Sequence, residues 1–205
     1  MQREAFILIA AVVWLGTAQQ FPAPLDDQKP NRSSEETAVL AGGCFWGVEA
    51  IFERLNGVKD VVSGFSGRGS PGPVGPMPQA EVVKIKYDPS KITYGTLLKV
   101  FFGVAHDPTQ LNRQGPDEGP QYRSSIFYVN DEQRRIAEAY IRQLSSAKTF
   151  AKPIVTTVVL FDKFDLAAPE HQDFVKRHPN EPYVVYNDAP KIAHLEKEFP
   201  QLIKR

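Results

Sequence analysis

The only cysteine of the 205-residue chain, Cys44, is the side chain best suited to nucleophilic or redox chemistry. It precedes a segment with apolar residues at positions 45, 48, 51, 52 and 55, the spacing of one helix face. Free backbone N–H groups and the positive dipole end at a helix N-terminus stabilise a thiolate, so we expect a lowered pKa for Cys44. A fall of about one unit from roughly 8.5 raises the thiolate fraction at pH 7 from roughly 3% to roughly 25%. The alternative is a buried structural cysteine.

Two runs of residues carry a resemblance to a known family. The run Gly43-Cys-Phe-Trp-Gly-Val-Glu49 resembles the Gly-Cys-Phe-Trp-Gly-x-Glu signature of methionine sulfoxide reductase A. The run Asp107-Pro-Thr-Gln-Leu-Asn-Arg-Gln-Gly-Pro-Asp-Glu-Gly-Pro-Gln-Tyr-Arg-Ser124 resembles the second hallmark of that family. The similarity extends from about Thr37 to Pro182, with both runs in the expected order. It implies reduction of the S epimer of methionine sulfoxide in proteins.

The resemblance implies a role for each residue of the first run and for one distant carboxylate. Cys44 attacks the sulfoxide sulfur, and Phe45 and Trp46 form the apolar wall that holds the S-methyl group. Glu81 protonates the departing oxygen. A sulfoxide oxygen leaves poorly until it is protonated, so a carboxylic acid kept neutral by burial must face the thiolate. Without the resemblance, Glu81 is an exposed charge at the start of a strand.

Four further positions belong to the predicted site. Gly43, with Gly42, permits a tight turn and the close approach of a substrate backbone. By the resemblance, Tyr122 and Asp117 hold the sulfoxide oxygen and order the loop through hydrogen bonds. His171 resembles a family position near the site. The alternatives are a rim aromatic for Tyr122, a turn residue for Asp117 and a half-exposed helix residue for His171.

The chain departs from the family between the second strand and the catalytic carboxylate. Relatives carry a tyrosine there and end the stretch with Thr-Gly-His-Ala-Glu, whereas the segment from Ser66 to Glu81 is several residues shorter. One of two tyrosines expected to hold the oxygen is therefore missing. Phe65 replaces a usual tyrosine, and Gln79 replaces the usual histidine. The assignment of Glu81 rests on Ala80-Glu81-Val82 and the regular strand that follows.

Recycling of the enzyme must use an outside thiol, because the chain has no second cysteine. Many relatives resolve the cysteine sulfenic acid with a second cysteine on a glycine-rich arm. Here the chain after Pro182 continues as Tyr-Val-Val-Tyr-Asn-Asp-Ala-Pro into a charged helix. We therefore expect a thioredoxin-like or glutaredoxin-like partner, or a small thiol. No cofactor and no metal are expected.

Two other functions use the same residues. A non-catalytic binder of oxidised or methionine-containing peptides would keep the Phe45 and Trp46 pocket and form no product. A thiol peroxidase would use Cys44 on peroxide, but no Pro-x-x-x-Thr/Ser-x-x-Cys pattern precedes this cysteine.

The elements that must position these residues alternate between strands and helices. The predicted strands are 37–41, 58–65, 81–87, 124–129 and 153–161, and the predicted helices are 44–55, 94–102, 131–147, 170–177 and 190–199. A long polar loop covers 106–121. This order predicts an α+β fold, a two-layer α/β sandwich of ferredoxin-like type with a mixed sheet.

Three segments follow from composition. Residues 1–18 read as a signal peptide with cleavage near Ala18, and an uncleaved membrane anchor is the alternative. Residues 19–36 are polar and rich in proline, which predicts a flexible linker, and residues 37–205 form one catalytic domain. We expect a periplasmic or secreted monomer. The 24 basic residues balance the 24 acidic ones, so nucleic acid is not an expected partner.

Overall fold

Six strands form one mixed sheet in the computed structural model of the chain, which describes residues 21–29, 35–69 and 76–204. The strands along the chain are β1 (Glu36–Gly42), β2 (Val58–Ser66), β3 (Ala80–Tyr87), β4 (Arg113–Gln114), β5 (Asp117–Glu118), β6 (Ser124–Tyr128), β7 (Thr157–Leu160) and β8 (Phe164–Leu166). The sheet order is β7-β6-β1-β3-β2-β8, with β7 parallel to β6 and every other pair antiparallel. The two short strands β4 and β5 form a separate hairpin.

Within the described ranges, five α-helices accompany the sheet: α1 (Phe45–Glu53), α2 (Tyr94–Val100), α3 (Asp131–Ser146), α4 (Phe174–Arg177) and α5 (Ala189–Glu198). The central order β6-β1-β3-β2, with α1 between β1 and β2 and α2 between β3 and β6, is a ferredoxin-like arrangement. The prediction of a two-layer α+β sandwich with a mixed sheet is confirmed.

Strand β1 explains why the sheet buries both faces. Successive side chains of a strand point to opposite faces. Ala38 and Leu40 enter the main core against the helices, whereas Val39 and Ala41 join a smaller cluster on the other face, and all four are fully buried. The second cluster is covered by Phe161 and neighbouring side chains. A strand that is buried on both faces has a continuous run of apolar residues, and β1 has such a run from Ala38 to Ala41.

The structure differs from the predicted elements near two helix ends. Helix α2 continues into a π-helical turn, Phe101–Ala105, that was expected to be ordinary helix and loop. The predicted helix 170–177 is instead the 3₁₀ turn Pro169–His171 followed by the short α4. Asp173 has a left-handed backbone conformation with φ of 52°, and this residue separates the two pieces.

Residues 21–29 pack against the domain, so the prediction of a flexible linker is wrong for this part of the chain. The Asp27 carboxylate accepts hydrogen bonds from the Thr93 hydroxyl (2.5 Å) and the Gly95 N–H (2.7 Å) at the start of α2. Gln28 is buried and accepts from the Tyr87 hydroxyl at 3.3 Å. Composition did not show this, because the partners lie more than 50 residues away.

Residues 1–20 and 30–34 lie outside the described residues, and so do the predicted signal peptide and the rest of the predicted linker. Within the described ranges, no helix is both long enough and apolar enough to cross a membrane.

The contacts of Asp27 predict a measurable contribution to stability. Asp27→Ala removes acceptors from the first turn of α2 and should lower the free energy of unfolding by about 1 kcal/mol, the usual effect of losing a helix cap. Urea denaturation followed by circular dichroism measures this. Asp26→Ala is the matched control, because Asp26 forms an exposed ion pair with Arg135. Such a pair should contribute at most roughly a few tenths of a kcal/mol to the free energy of unfolding. Equal losses in the two variants would contradict the assignment.

Candidate active site

Cys44 lies at the junction of β1 and α1, as predicted. It precedes the first helical residue, with φ of −54° and ψ of 125°, and its side chain is 8% exposed. Gly42 pairs with Ser124 of β6, which fixes the end of β1. The neighbouring β6 and β3 therefore bring their residues to the start of α1.

Gly43 makes the turn between β1 and α1, and Gln114 packs against it. Its φ of 90° lies in the left-handed region that favours glycine. A Cβ atom at Gly43 would approach the Cβ and Cγ atoms of Gln114 to 2.5 Å. Gln114 therefore fills the side of Gly43 on which a Cβ atom would lie, and the substrate contact at Gly43 stays a prediction.

The pKa of the Cys44 thiol is raised, not lowered. Burial is the main cause, and the negative charges of Glu81 and Asp188 add to it. The backbone N–H of Trp46 and the Tyr183 hydroxyl act in the opposite direction and do not compensate. The predicted lowering is therefore wrong for the free protein, because the helix N-terminus is only one of several influences on the sulfur. The thiol is the resting form.

Glu81 lies beside the start of α1 on β3. Its carboxylate accepts a hydrogen bond from the Phe45 N–H at 3.1 Å. Burial raises its pKa to about 7, the hydrogen bond from Phe45 lowers it, and the charge of Asp117 raises it. A carboxyl group with this pKa is protonated in a large fraction of molecules at neutral pH. Glu81 can therefore donate a proton next to Cys44.

Asp117 and Tyr122 reach the same place from the loop after α2. Asp117 accepts a hydrogen bond from the Tyr183 hydroxyl. The pKa of Tyr122 is raised by its partial burial and by the charges of Glu81 and Asp117, and Cys44 contributes as well. These electrostatic couplings place the Tyr122 and Tyr183 hydroxyls near the carboxylates and the sulfur.

Arg123 ties the loop to the shortened segment before β3. Its guanidinium donates hydrogen bonds to the carbonyl oxygens of Pro78 (2.9 Å) and Pro120 (2.8 Å), and to that of Gly67 at 3.3 Å. Arg123 is 5% exposed. It therefore holds Tyr122 at a fixed distance from the strand that carries Glu81.

An aromatic cluster surrounds the first turn of α1. The Trp46 indole stacks on Phe174 with a centroid distance of 3.7 Å, and its N–H donates to Nδ1 of His171 at 3.3 Å. Phe45 contacts Phe65 edge to face at 5.6 Å and His171 at 5.5 Å. The cluster provides apolar ring faces beside a buried thiol and a carboxylic acid.

The site thus combines a nucleophile, an acid, hydroxyl donors and an apolar wall. Within the described residues, no group of three or more histidine, cysteine, aspartate or glutamate side chains is arranged to hold a metal ion.

Comparison with known proteins shows which family the chain belongs to. The family model for peptide methionine sulfoxide reductase matches residues 36–203. The chain belongs to this family. Peptide methionine sulfoxide reductase MsrA 2 of Mesorhizobium japonicum is 52% identical over 86% of this chain and 93% of the relative, and MsrA 2 of Synechocystis is 46% identical over 89% and 90%. The solved structure of methionine sulfoxide reductase A of Corynebacterium diphtheriae is 31% identical, with a TM-score of 0.59 over 73% of this chain and 77% of that structure.

The predicted family and activity are confirmed by these matches. The chain is a methionine sulfoxide reductase of the A type, an oxidoreductase that converts methionine sulfoxide to methionine. The structure brings Cys44, Phe45 and Trp46 together with Glu81, and it adds the remaining predicted residues Tyr122, Asp117 and His171 around them.

Three residues of the reductase site were missed by the sequence analysis: Phe174, Tyr183 and Asp188. All three lie beyond residue 172, more than 120 positions from Cys44 in the chain, so no local spacing links them to it. The only signal was the aromatic and apolar run after Pro182, which we interpreted solely as the absence of a cysteine-bearing arm. Tyr183 provides a second hydroxyl beside Cys44, where the shortened segment lacks the expected tyrosine.

Proposed function

We propose that Cys44 is the nucleophile of a peptide methionine (S)-sulfoxide reductase and that Glu81 is its general acid. The Cys44 sulfur attacks the sulfoxide sulfur while Glu81 protonates the oxygen, which gives an adduct with a new S–S bond. The hydroxyl group then passes to the Cys44 sulfur as the S–O and S–S bonds break, and an electron pair stays on the methionine sulfur. The net change converts the Cys44 thiol and the sulfoxide into a cysteine sulfenic acid and methionine. The cysteine sulfur is oxidised by two electrons, and the substrate sulfur is reduced by two.

Activation of Cys44 is coupled to the protonation of Glu81. The charged Glu81 carboxylate is the second-largest cause of the raised pKa of Cys44, after burial. Neutral Glu81 removes that repulsion and is also the form that donates a proton. The reactive state is therefore the pair of thiolate and carboxylic acid, stabilised by the start of α1 and by the Tyr183 hydroxyl.

Tyr122 and Tyr183 hold the sulfoxide oxygen in this proposal, with Asp117 fixing Tyr183. Phe45 and Trp46 contact the S-methyl group, and His171 accepts the indole hydrogen bond that sets the orientation of Trp46. The aromatic rings exclude water from the Cys44 sulfur, so that water does not compete with the sulfoxide oxygen for the proton of Glu81.

The sulfenic acid is recycled by an external thiol. A first thiol forms a mixed disulfide with Cys44 and releases water, and a second thiol displaces Cys44 and leaves as a disulfide. A thioredoxin-like or glutaredoxin-like protein, or a small thiol, supplies both electrons. In this proposal, the enzyme is a periplasmic or secreted monomer that repairs oxidised proteins with its domain from 37 to 205. The predicted leader supports the location.

The observation that carries the proposal is the part-buried Glu81 carboxyl, which accepts a hydrogen bond at 3.1 Å from the N–H of Phe45, directly after the only cysteine of the sequence. The test is an epimer-resolved assay on a methionine sulfoxide peptide with dithiothreitol, analysed by chromatography. The wild type should reduce the S epimer and leave the R epimer. Cys44→Ser should abolish turnover and keep the thermal unfolding transition, because serine is a good residue at a helix start. Reductase activity in Cys44→Ser would refute the role of this cysteine.

Glu81→Gln should lower the rate of a single turnover by roughly 10²-fold, the usual contribution of a positioned acid. It should also change the pH profile. In the wild type, the thiolate fraction rises with pH while the acid form of Glu81 falls above about pH 7, so the rate should rise and then level off near pH 7. In Glu81→Gln the rate should continue to rise above pH 7.

The matched control for Glu81→Gln is Glu118→Gln. Glu118 is an exposed carboxylate on β5 that pairs with Arg113 at 3.2 Å. This variant should keep both the wild-type rate and the change of slope near pH 7. A Glu81→Gln profile that still levels off there would assign the acid to another residue.

The recycling scheme predicts a stoichiometry. Without added thiol, one equivalent of enzyme should form one equivalent of methionine and stop, with Cys44 as a sulfenic acid. Intact mass spectrometry should show a dimedone adduct on Cys44, and addition of a thiol should restart turnover. Repeated turnover without thiol, or an obligatory dimer linked through two Cys44 residues, would exclude the scheme.

A further inference from the structure

Asp188 is a buried carboxylate outside the residues to which the proposed function gives a role. Its side chain is fully buried, and neither of its oxygens has a hydrogen-bond partner among the described residues. Buried polar groups in proteins are nearly always hydrogen-bonded, and an unpaired one is destabilising. An apolar side chain of similar size would serve packing better at this place, so the carboxylate calls for a functional explanation.

Asp188 packs directly against the start of α1. Asp188 ends the π-helical turn Val184–Asp188 and immediately precedes α5. A Cβ atom on Gly47 would overlap the Asp188 carboxylate, which shows that the carboxylate lies directly on the first turn of α1. Val184, at the other end of the turn, packs with Ala50 and Val175 and fixes the segment to the same helix.

The surroundings of Asp188 compensate its charge only in part. The Lys191 ammonium lies 3.7 Å from one carboxylate oxygen, which is too long for a hydrogen bond. Burial and the negative charge of Asp117 raise the pKa of Asp188 to about 6 despite Lys191. Asp188 is therefore charged at neutral pH, and its negative charge acts on Cys44.

The ionisable groups that face Cys44 come from four elements. Glu81 lies on β3, Tyr122 on the loop before β6, Tyr183 on the segment before the π-helical turn, and Asp188 at the end of that turn. Glu81 must become neutral to act as the acid, so its repulsion of a thiolate disappears in the reactive state. The repulsion by Asp188 remains.

We propose that Asp188 is a positioning residue for Cys44: its negative charge, held against α1 by the C-terminal segment, opposes thiolate formation and keeps the thiolate fraction of the free enzyme low. Peroxides and disulfides react with thiolates far faster than with thiols. An enzyme without a second cysteine has no internal disulfide to protect the first one from further oxidation. The Asp188 carboxylate thus lowers the rate at which peroxides and disulfides attack Cys44 in the free enzyme. This proposal rests on the proposed role of Cys44 as the nucleophile.

The test compares the modification rate of Cys44 in wild type and in Asp188→Asn between pH 5 and pH 9. Methyl methanethiosulfonate is a small probe that transfers its methylthio group to a thiolate and releases methanesulfinate, and intact mass measures the product. Because Asp188 is neutral below about pH 6 and charged above it, the ratio of variant to wild-type rates should be close to one at pH 5. It should rise to roughly three- to tenfold above pH 7.

Glu196→Gln is the matched control, since it removes the same charge from the exposed side of α5. Its rate ratio should stay at one throughout. A general loosening of the site would accelerate modification by the same factor at every pH, so a ratio that does not depend on pH would overturn the proposal. An unchanged rate in Asp188→Asn would overturn it as well.

Asp188→Ala should give the same pH-dependent ratio if the amide of Asn disturbs the packing. If neither variant retains a cooperative thermal transition, Asp188 belongs to the fold and the proposal is wrong. The assay contains no sulfoxide, so its result is separate from that of the reductase assay on Cys44→Ser.

Discussion

The burial of Cys44 at the start of α1 is the constraint on which the rest of the site depends. A sulfur in water would ionise near its ordinary pKa and react with any oxidant, whereas the buried sulfur needs nearby groups to ionise at all. The N-terminus of α1 and the Tyr183 hydroxyl favour the thiolate, and Glu81 and Asp188 oppose it. The reactivity of the cysteine is therefore set by the protonation of its neighbours.

The burial of Cys44 explains why side chains of the C-terminal segment contribute to the site. The chain has no second cysteine with which Cys44 could form an internal disulfide. Here the segment packs on α1 instead, and it brings Tyr183 and Phe174 to the site from residues far along the chain. Tyr183 contacts Trp46 edge to face at 5.6 Å and also holds Asp117. One segment therefore contributes to the apolar wall, to the hydroxyl donors and to the charge around the sulfur.

Five strands, β1, β2, β3, β6 and β7, and the long helices could be predicted from the sequence to within a few residues, because each has a clear apolar period. The short strands β4, β5 and β8 were not predicted. The two signature runs also identified Cys44, Phe45 and Trp46. Two kinds of feature could not be predicted. Asp27 and Gln28 make side-chain hydrogen bonds to residues far away in the chain, which composition does not encode. The predicted direction of the Cys44 pKa shift is wrong, because burial and the carboxylates of other elements raise this pKa by more than the start of α1 lowers it.

The segment before β3 leaves Glu81, the proposed general acid, in place for a reason that lies in the sheet. Residues Phe65 and Ser66 of β2 pair with Glu81 and Ala80 of β3, so the register of two paired strands sets the position of Glu81. A slip of one residue would turn every side chain of β3 to the opposite face, and the alternating burial of that strand opposes such a slip. The length of the connecting loop changes its closure entropy only slightly. The loop can therefore lose residues, including a tyrosine, while the acid keeps its distance from Cys44 and another hydroxyl, that of Tyr183, reaches the site from a different part of the chain.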